Sequence, residues 1–148
     1  MKINYIKGDL LNVTEGIIMH GCNAQGVMGS GVALAVRQKY PKVYEKYKQE
    51  IQLGLLGLGD TQFIKVAEDL FVCNAITQEF YGREKKLYVS YEAIRNAFQN
   101  VFNLSAYDVN IPKIGAGLGG GDWERILQII KESAEEQCYT GVLNVYEL

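Results

Sequence analysis

Short apolar runs and stretches of helical period alternate along the whole chain, and this alternation limits the fold more than any single motif. Residues 2–6 read as a strand ending at the turn Lys7-Gly8-Asp9, and 16–22, GIIMHGC, as a buried strand. From Gly31 to Tyr40 the period is helical, with Val32, Ala35, Val36 and Tyr40 near one face. Pro41 ends that helix and suits the first turn of another, running to about Gln52. TQFIKV and LFVCNAIT read as two strands joined by a turn at Glu68-Asp69. Residues 89–105 are spaced as a helix through Ile94, Phe98, Val101 and Phe102, with Ser90 near its start. DVNIPKI is a short strand, Asp122 caps a helix reaching about Gln137, and GVLNVYEL closes as a strand. Strands alternating with helices predict an α/β fold in three layers, a mixed central sheet with helices on both faces. No linker or repeat divides the 148 residues, so one domain over 1–148 is expected.

Two segments repeat one pattern of strand, glycine-rich loop and helix start: HGCNAQGVMGSGVALAV and IPKIGAGLGGGDWE. The second contains GxGxxG at Gly115, Gly117 and Gly120. A dinucleotide-binding unit needs an acidic residue about 20 positions on and a second parallel strand, for which too little chain remains. A P-loop ends in Gly-Lys-Ser/Thr, whereas this loop runs into Gly-Asp-Trp. What remains is the physics of a helix N-terminus. Free backbone N–H groups and the positive end of the helix dipole attract an anion, and glycines let it come close. Two such loops at the carboxyl ends of strands suit two anionic groups, or one diphosphate held between them.

Composition narrows the classes of function. The formal charge of −2 argues against a broad nucleic-acid or membrane surface. No apolar stretch approaches the ~18 residues of a membrane helix, and the charged N-terminus does not read as a signal peptide. Cys22, Cys73 and Cys138 lack metal or redox spacing and are expected as reduced, mostly buried thiols of a cytoplasmic protein.

Taken in order, YIKGDL, the two glycine loops and the closing VYEL resemble the macrodomain family across essentially the whole chain. The stretch His20-Gly21-Cys22-Asn23, with Arg37, Tyr40, Pro41 and Lys42, is similar to the branch holding ADP-ribose-1″-phosphate phosphatases and a terminal ADP-ribose protein glycohydrolase. The resemblance implies an ADP-ribose pocket needing no cofactor and no metal. Asp9 would accept from the adenine amino group, with Leu10 nearby, and Tyr146 would lie by the adenine or serve as a core or sheet-face tyrosine. Asn23 would face the distal ribose. Gly29, Ser30, Gly31 and Val32 would turn N–H groups to the diphosphate. Ile114, Gly115, Ala116, Gly117, Leu118 and Gly119 would wrap its other side, with Thr77 in the wall. Asn23 could equally close an Asx turn, and Asp9 could be a plain turn residue. The glycohydrolase of that branch uses a lysine and an aspartate; Gln78 and Gly119 stand there, so that mechanism does not transfer.

His20, the chain's single histidine, is the candidate acid or base, and a structural histidine is the alternative. Cys22 has no arginine six residues on, and no acid or histidine cluster suits two metals. Three functions follow from the resemblance: release of the 1″-phosphate from ADP-ribose 1″-phosphate, hydrolysis of ADP-ribosyl esters on protein or of acylated ADP-ribose, and binding of ADP-ribose without chemistry. The expected ligand is ADP-ribose or a derivative, with an ADP-ribosylated protein as the alternative partner.

Overall fold

The computed structural model describes residues 1–82, 84–104 and 106–148. Its elements are β1 (Lys2–Lys7), a 3₁₀ turn (Leu10–Asn12), β2 (Gly16–Asn23), α1 (Gly31–Lys39), α2 (Pro41–Gln52), β3 (Thr61–Ala67), β4 (Leu70–Gln78), α3 (Tyr91–Leu104), β5 (Val109–Ile111), α4 (Trp123–Glu136) and β6 (Val142–Glu147). Six strands form one sheet in the order β1-β6-β5-β2-β4-β3. All neighbours are parallel except β3, which pairs antiparallel with β4. The sheet is therefore mixed, as expected.

The helices divide between the two faces according to strand parity. Ile18 and Cys22 of β2 pack with Val36 of α1 and Val43 and Tyr47 of α2. Ile17 and Met19 point the other way and pack with Ile94 and Phe98 of α3 and Ile126 and Ile130 of α4. Burial of β2 on both faces explains its near-continuous apolar run. In α3 the buried Ile94, Phe98, Val101 and Phe102 recur at helical spacing. Burying one such side chain contributes about 2 kcal/mol.

The capping expectations are met at both helices. Ser90 Oγ accepts from Ala93 N–H at 3.1 Å, and Asp122 Oδ1 accepts from Glu124 N–H at 3.1 Å. The expected end of α3 at residue 105 lies outside the described residues. The strand expected over DVNIPKI is only Val109–Ile111, since Pro112 has no N–H to extend the ladder. Cys22 and Cys73 are buried, and Cys138 is exposed after α4 at φ 53°. Val32 lies outside the core of its helix and is 36% exposed.

One consequence of this topology fixes the site. The adjacent strands β2 and β5 send their chains to opposite faces, β2 to α1 and β5 to α4. A crevice opens where neighbouring connections diverge in this way.

Candidate functional site

At that crevice lies a cleft of ≈ 650 Å³. One wall is the loop after β2 and the start of α1, with Asn23, Val27, Gly29, Ser30, Gly31, Val32 and Ala33. The other is the loop after β5, with Pro112, Lys113, Ile114, Gly115, Gly117, Leu118 and Gly119. Thr77 and Gln78 end β4 beneath it, and Tyr81 and Gly82 close one side. Eleven of the sequence-expected residues thus meet at one place: Asn23, Gly29, Ser30, Gly31, Val32, Thr77, Ile114, Gly115, Gly117, Leu118 and Gly119.

Both walls present unpaired backbone donors. Ser30 has the extended N-cap conformation, but its side chain makes no cap bond. The first bond at this end is Leu34 N–H to Ser30 O at 3.3 Å, leaving the amides of Gly31, Val32 and Ala33 without a protein partner among the described residues. In the opposite loop, Ala116, Gly120 and Gly121 donate to Lys113 O, Gly117 O and Gly115 O. The amides of Gly117, Leu118 and Gly119 donate to nothing among the described residues. The loop is pinned from outside, as Tyr88 and Val89 N–H both donate to Gly119 O at 2.8 and 3.0 Å. Gly115 has φ +79°, so only glycine sits there unstrained.

Asn23 has its amide committed within its own loop. Its Oδ1 accepts from Gln25 N–H at 3.0 Å and Val27 N–H at 3.3 Å, and its Nδ2 donates to Val27 O at 2.8 Å. This is the Asx turn that competed with the ribose-binding role, and it leaves one amide hydrogen for a ligand. Asp9 caps the 3₁₀ turn, its Oδ1 accepting from Leu11 N–H at 2.9 Å. Neither Asp9, Leu10, Ala116 nor Tyr146 lines the cleft wall. Leu10 and Tyr146 pack into the α1–α2 side of the core beyond it, and Ala116 packs towards the α3–α4 side.

His20 is the clearest correction. It is 0% exposed and absent from the cleft wall. β2 continues three residues beyond it, and parity sets it with Ile18 and Cys22 under α1 and α2. There it ends a buried polar row that crosses the sheet. Gln62 Nε2 donates to the Glu50 carboxylate, and Asn74 Nδ2 donates to Gln62 Oε1 at 3.0 Å. Asn74 Oδ1 is then the acceptor facing His20 Nε2 at 2.5 Å, so His20 carries its proton on Nε2. Burial lowers its pKa from 6.5 to about 4, against the opposing effect of the Asn74 bond.

Cys22, His20 and Asn74 have the residue types of a nucleophile, base and orienting amide, but not the geometry. The sulfur lies 3.9 Å from Nδ1 and 3.7 Å from Nε2, so it addresses neither nitrogen selectively. Burial also pushes the Cys22 thiol well above its ordinary range. Among the described residues no group of three or more His, Cys, Asp or Glu could hold a metal ion.

Sequence reasoning missed several wall residues. Gly21 matters most: a Cβ there would lie 2.8 Å from Thr77 Oγ1 and 3.3 Å from Ile114 Cγ1, so its missing side chain opens the floor. A glycine inside an otherwise apolar strand was the available signal. Tyr81 and Lys113 gave no local pattern, whereas Gln78, set by the resemblance at the glycohydrolase's lysine position, does line the wall. Lys113 Nζ pairs with the Glu147 carboxylate at the end of β6, and that bond holds its pKa above the ordinary value.

The Macro domain family model matches residues 19–130, most of the chain and both glycine loops. The chain is a macrodomain. A structure of a Bacteroides thetaiotaomicron protein of unknown function is 35% identical to this macrodomain, with TM-score 0.89 over 100% of this chain and 99% of that one. The ADP-ribose 1″-phosphate phosphatase of Candida albicans is 28% identical over 158 residues, covering 97% of the macrodomain and 98% of the phosphatase. The DNA ADP-ribosyl glycohydrolase of Thermus aquaticus is 25% identical over 138 residues. That match takes in 90% of the macrodomain but only 38% of the glycohydrolase. No helix among the described residues is long and apolar enough to cross a membrane.

Proposed function

We propose that this macrodomain binds ADP-ribose derivatives in the β2–β5 cleft and releases the 1″-phosphate from ADP-ribose 1″-phosphate. The observation behind this reading is the pair of facing donor arrays, Gly31–Ala33 and Gly117–Gly119, whose amides have no protein partner among the described residues. Six N–H groups on two sides of one cleft match the oxygens of a diphosphate. The base would extend towards Asp9 and Tyr146, beyond the cleft along the same end of the sheet.

The phosphatase is favoured among hydrolases by coverage, since the match to the Candida albicans enzyme runs the length of both chains. In the reaction, water attacks phosphorus, the bond from phosphorus to the 1″ oxygen breaks, and a proton passes to that oxygen. Among the described residues no carboxylate or histidine lines the wall. The chain therefore contributes position and N–H stabilisation of developing charge, and turnover is slow. The absence of a carboxylate or histidine from the described wall also favours a second reading, a binder of ADP-ribose without chemistry.

The two are separated by incubation with ADP-ribose 1″-phosphate and assay of free phosphate. Phosphate release with ADP-ribose as product supports the phosphatase. A raised melting temperature with ADP-ribose but no release leaves the binder. Neither effect would overturn both.

A further inference from the structure

Helix α2 contributes nothing to the cleft wall, yet it holds the loop that forms half of it. Tyr47 is fully buried on the α2 face turned to the sheet. Its Oη lies 2.5 Å from Asn23 O and 2.9 Å from Asn23 Oδ1, so one hydroxyl hydrogen serves both acceptors. The amides of Gly26 and Val27 approach the same oxygen. One turn further along α2, Ile51 packs against Gly26, where a Cβ would meet its Cγ2 at 3.6 Å. Gly26 has φ +81°, so the turn reverses sharply at this contact. The phenol thus sits at the centre of the turn 23–27, and the unpaired amides of α1 begin four residues after it.

We propose that Tyr47 is a positioning residue for this site: its hydroxyl fixes the Asn23 turn and thereby aims the amides of Gly31–Ala33 into the cleft. The proposal deepens the functional reading above and rests on it for the identity of the ligand. The hydroxyl acts through Asn23 and the loop and does not touch the ligand. Removing it leaves the ring in the core but takes the donor from Asn23 O and Oδ1, so the turn loosens where the donor array is set.

The test is Tyr47→Phe, measured by calorimetric titration with ADP-ribose and by amide hydrogen exchange without ligand. Kd for ADP-ribose is expected to rise about five- to tenfold. Exchange is expected to quicken in residues 23–33 and stay unchanged in α3 and α4. Phe98→Leu, a core change on the opposite face, serves as the control: it lowers melting temperature while leaving Kd alone. Asn23→Ala combined with Tyr47→Phe should cost less affinity than the two changes summed. Unchanged exchange in 23–33 would overturn the proposal whether or not ADP-ribose is the ligand. So would a Kd within twofold of wild type. Failure of the wild-type protein to bind ADP-ribose sinks the functional reading instead, and the exchange result still decides the role of Tyr47.

Discussion

A side chain at Gly119 would begin 2.7 Å from the carbonyl oxygen of Gly115. Real Cβ atoms do not come that close, so any other residue at 119 must push the two halves of the loop apart. Gly119 O is also held by Tyr88 and Val89 N–H, which leaves little room to yield. Gly119→Ala should keep the fold and lose about tenfold or more in affinity for ADP-ribose, the scale of a small overpacking penalty. Titration calorimetry checks this, and a Kd within twofold of wild type would show that the loop adapts. The same contact bears on chemistry. An aspartate at 119 would bring a carboxylate and disturb the loop together, so that single change should not install a glycohydrolase.

His20 is neutral in the fold, with its pKa lowered to about 4 by burial. In the unfolded chain it takes a proton as pH falls below about 6.5. The unfolded state then binds more protons than the folded one, so stability falls as pH drops from about 6.5 to 4. The contribution is fully present above that window, and its loss is complete below it. The difference between 6.5 and about 4 corresponds to about 3 kcal/mol. Urea denaturation at pH 7.5 and 4.5, for wild type and His20→Gln, isolates the effect from carboxylates titrating in the same range. The variant is expected to be less stable at pH 7.5 and to show a shallower decline. Equal declines would mean that His20 is not the group responsible.

Lys113 lines the cleft and pairs with Glu147. Both partners are substantially exposed, so the pair should add little to stability. An ammonium beside a diphosphate matters more. Lys113→Met should leave the melting temperature nearly unchanged and weaken ADP-ribose binding roughly threefold to tenfold at low salt. The gap should narrow as salt screens the charge. Binding measured at low and high ionic strength distinguishes this from a steric effect, for which the gap would be independent of salt.

Much of this molecule could be read from the chain, and the exceptions have a common cause. Pro41, Ser90 and Asp122 marked helix starts because capping and proline act within a few residues. The glycine loops were legible for the same local reason. His20 was misplaced because GIIMHGCN is buried on both faces, so its pattern does not reveal where along the strand the cleft begins; Gly21, Cys22 and Asn23 line it and His20 does not. Gln78 and Tyr81 reach the wall from the end of β4 and the segment after it, and Lys113 from the loop after β5. Their meeting depends on strand order, which no local spacing encodes. The double role of Asn23 was anticipated only as a choice between alternatives, and the atoms show most of its amide taken up by the turn.

The donor arrays of the cleft belong to the main chain, and this decides how the site can vary. A substitution can delete a side-chain donor, but every non-proline residue at 32, 33, 117 or 118 still brings an N–H. Exchange of the residues at those positions therefore changes the shape of the wall while keeping its N–H donors. Heritable loss of binding should arise chiefly through changes in loop path, at positions such as Gly115, where φ is +79°.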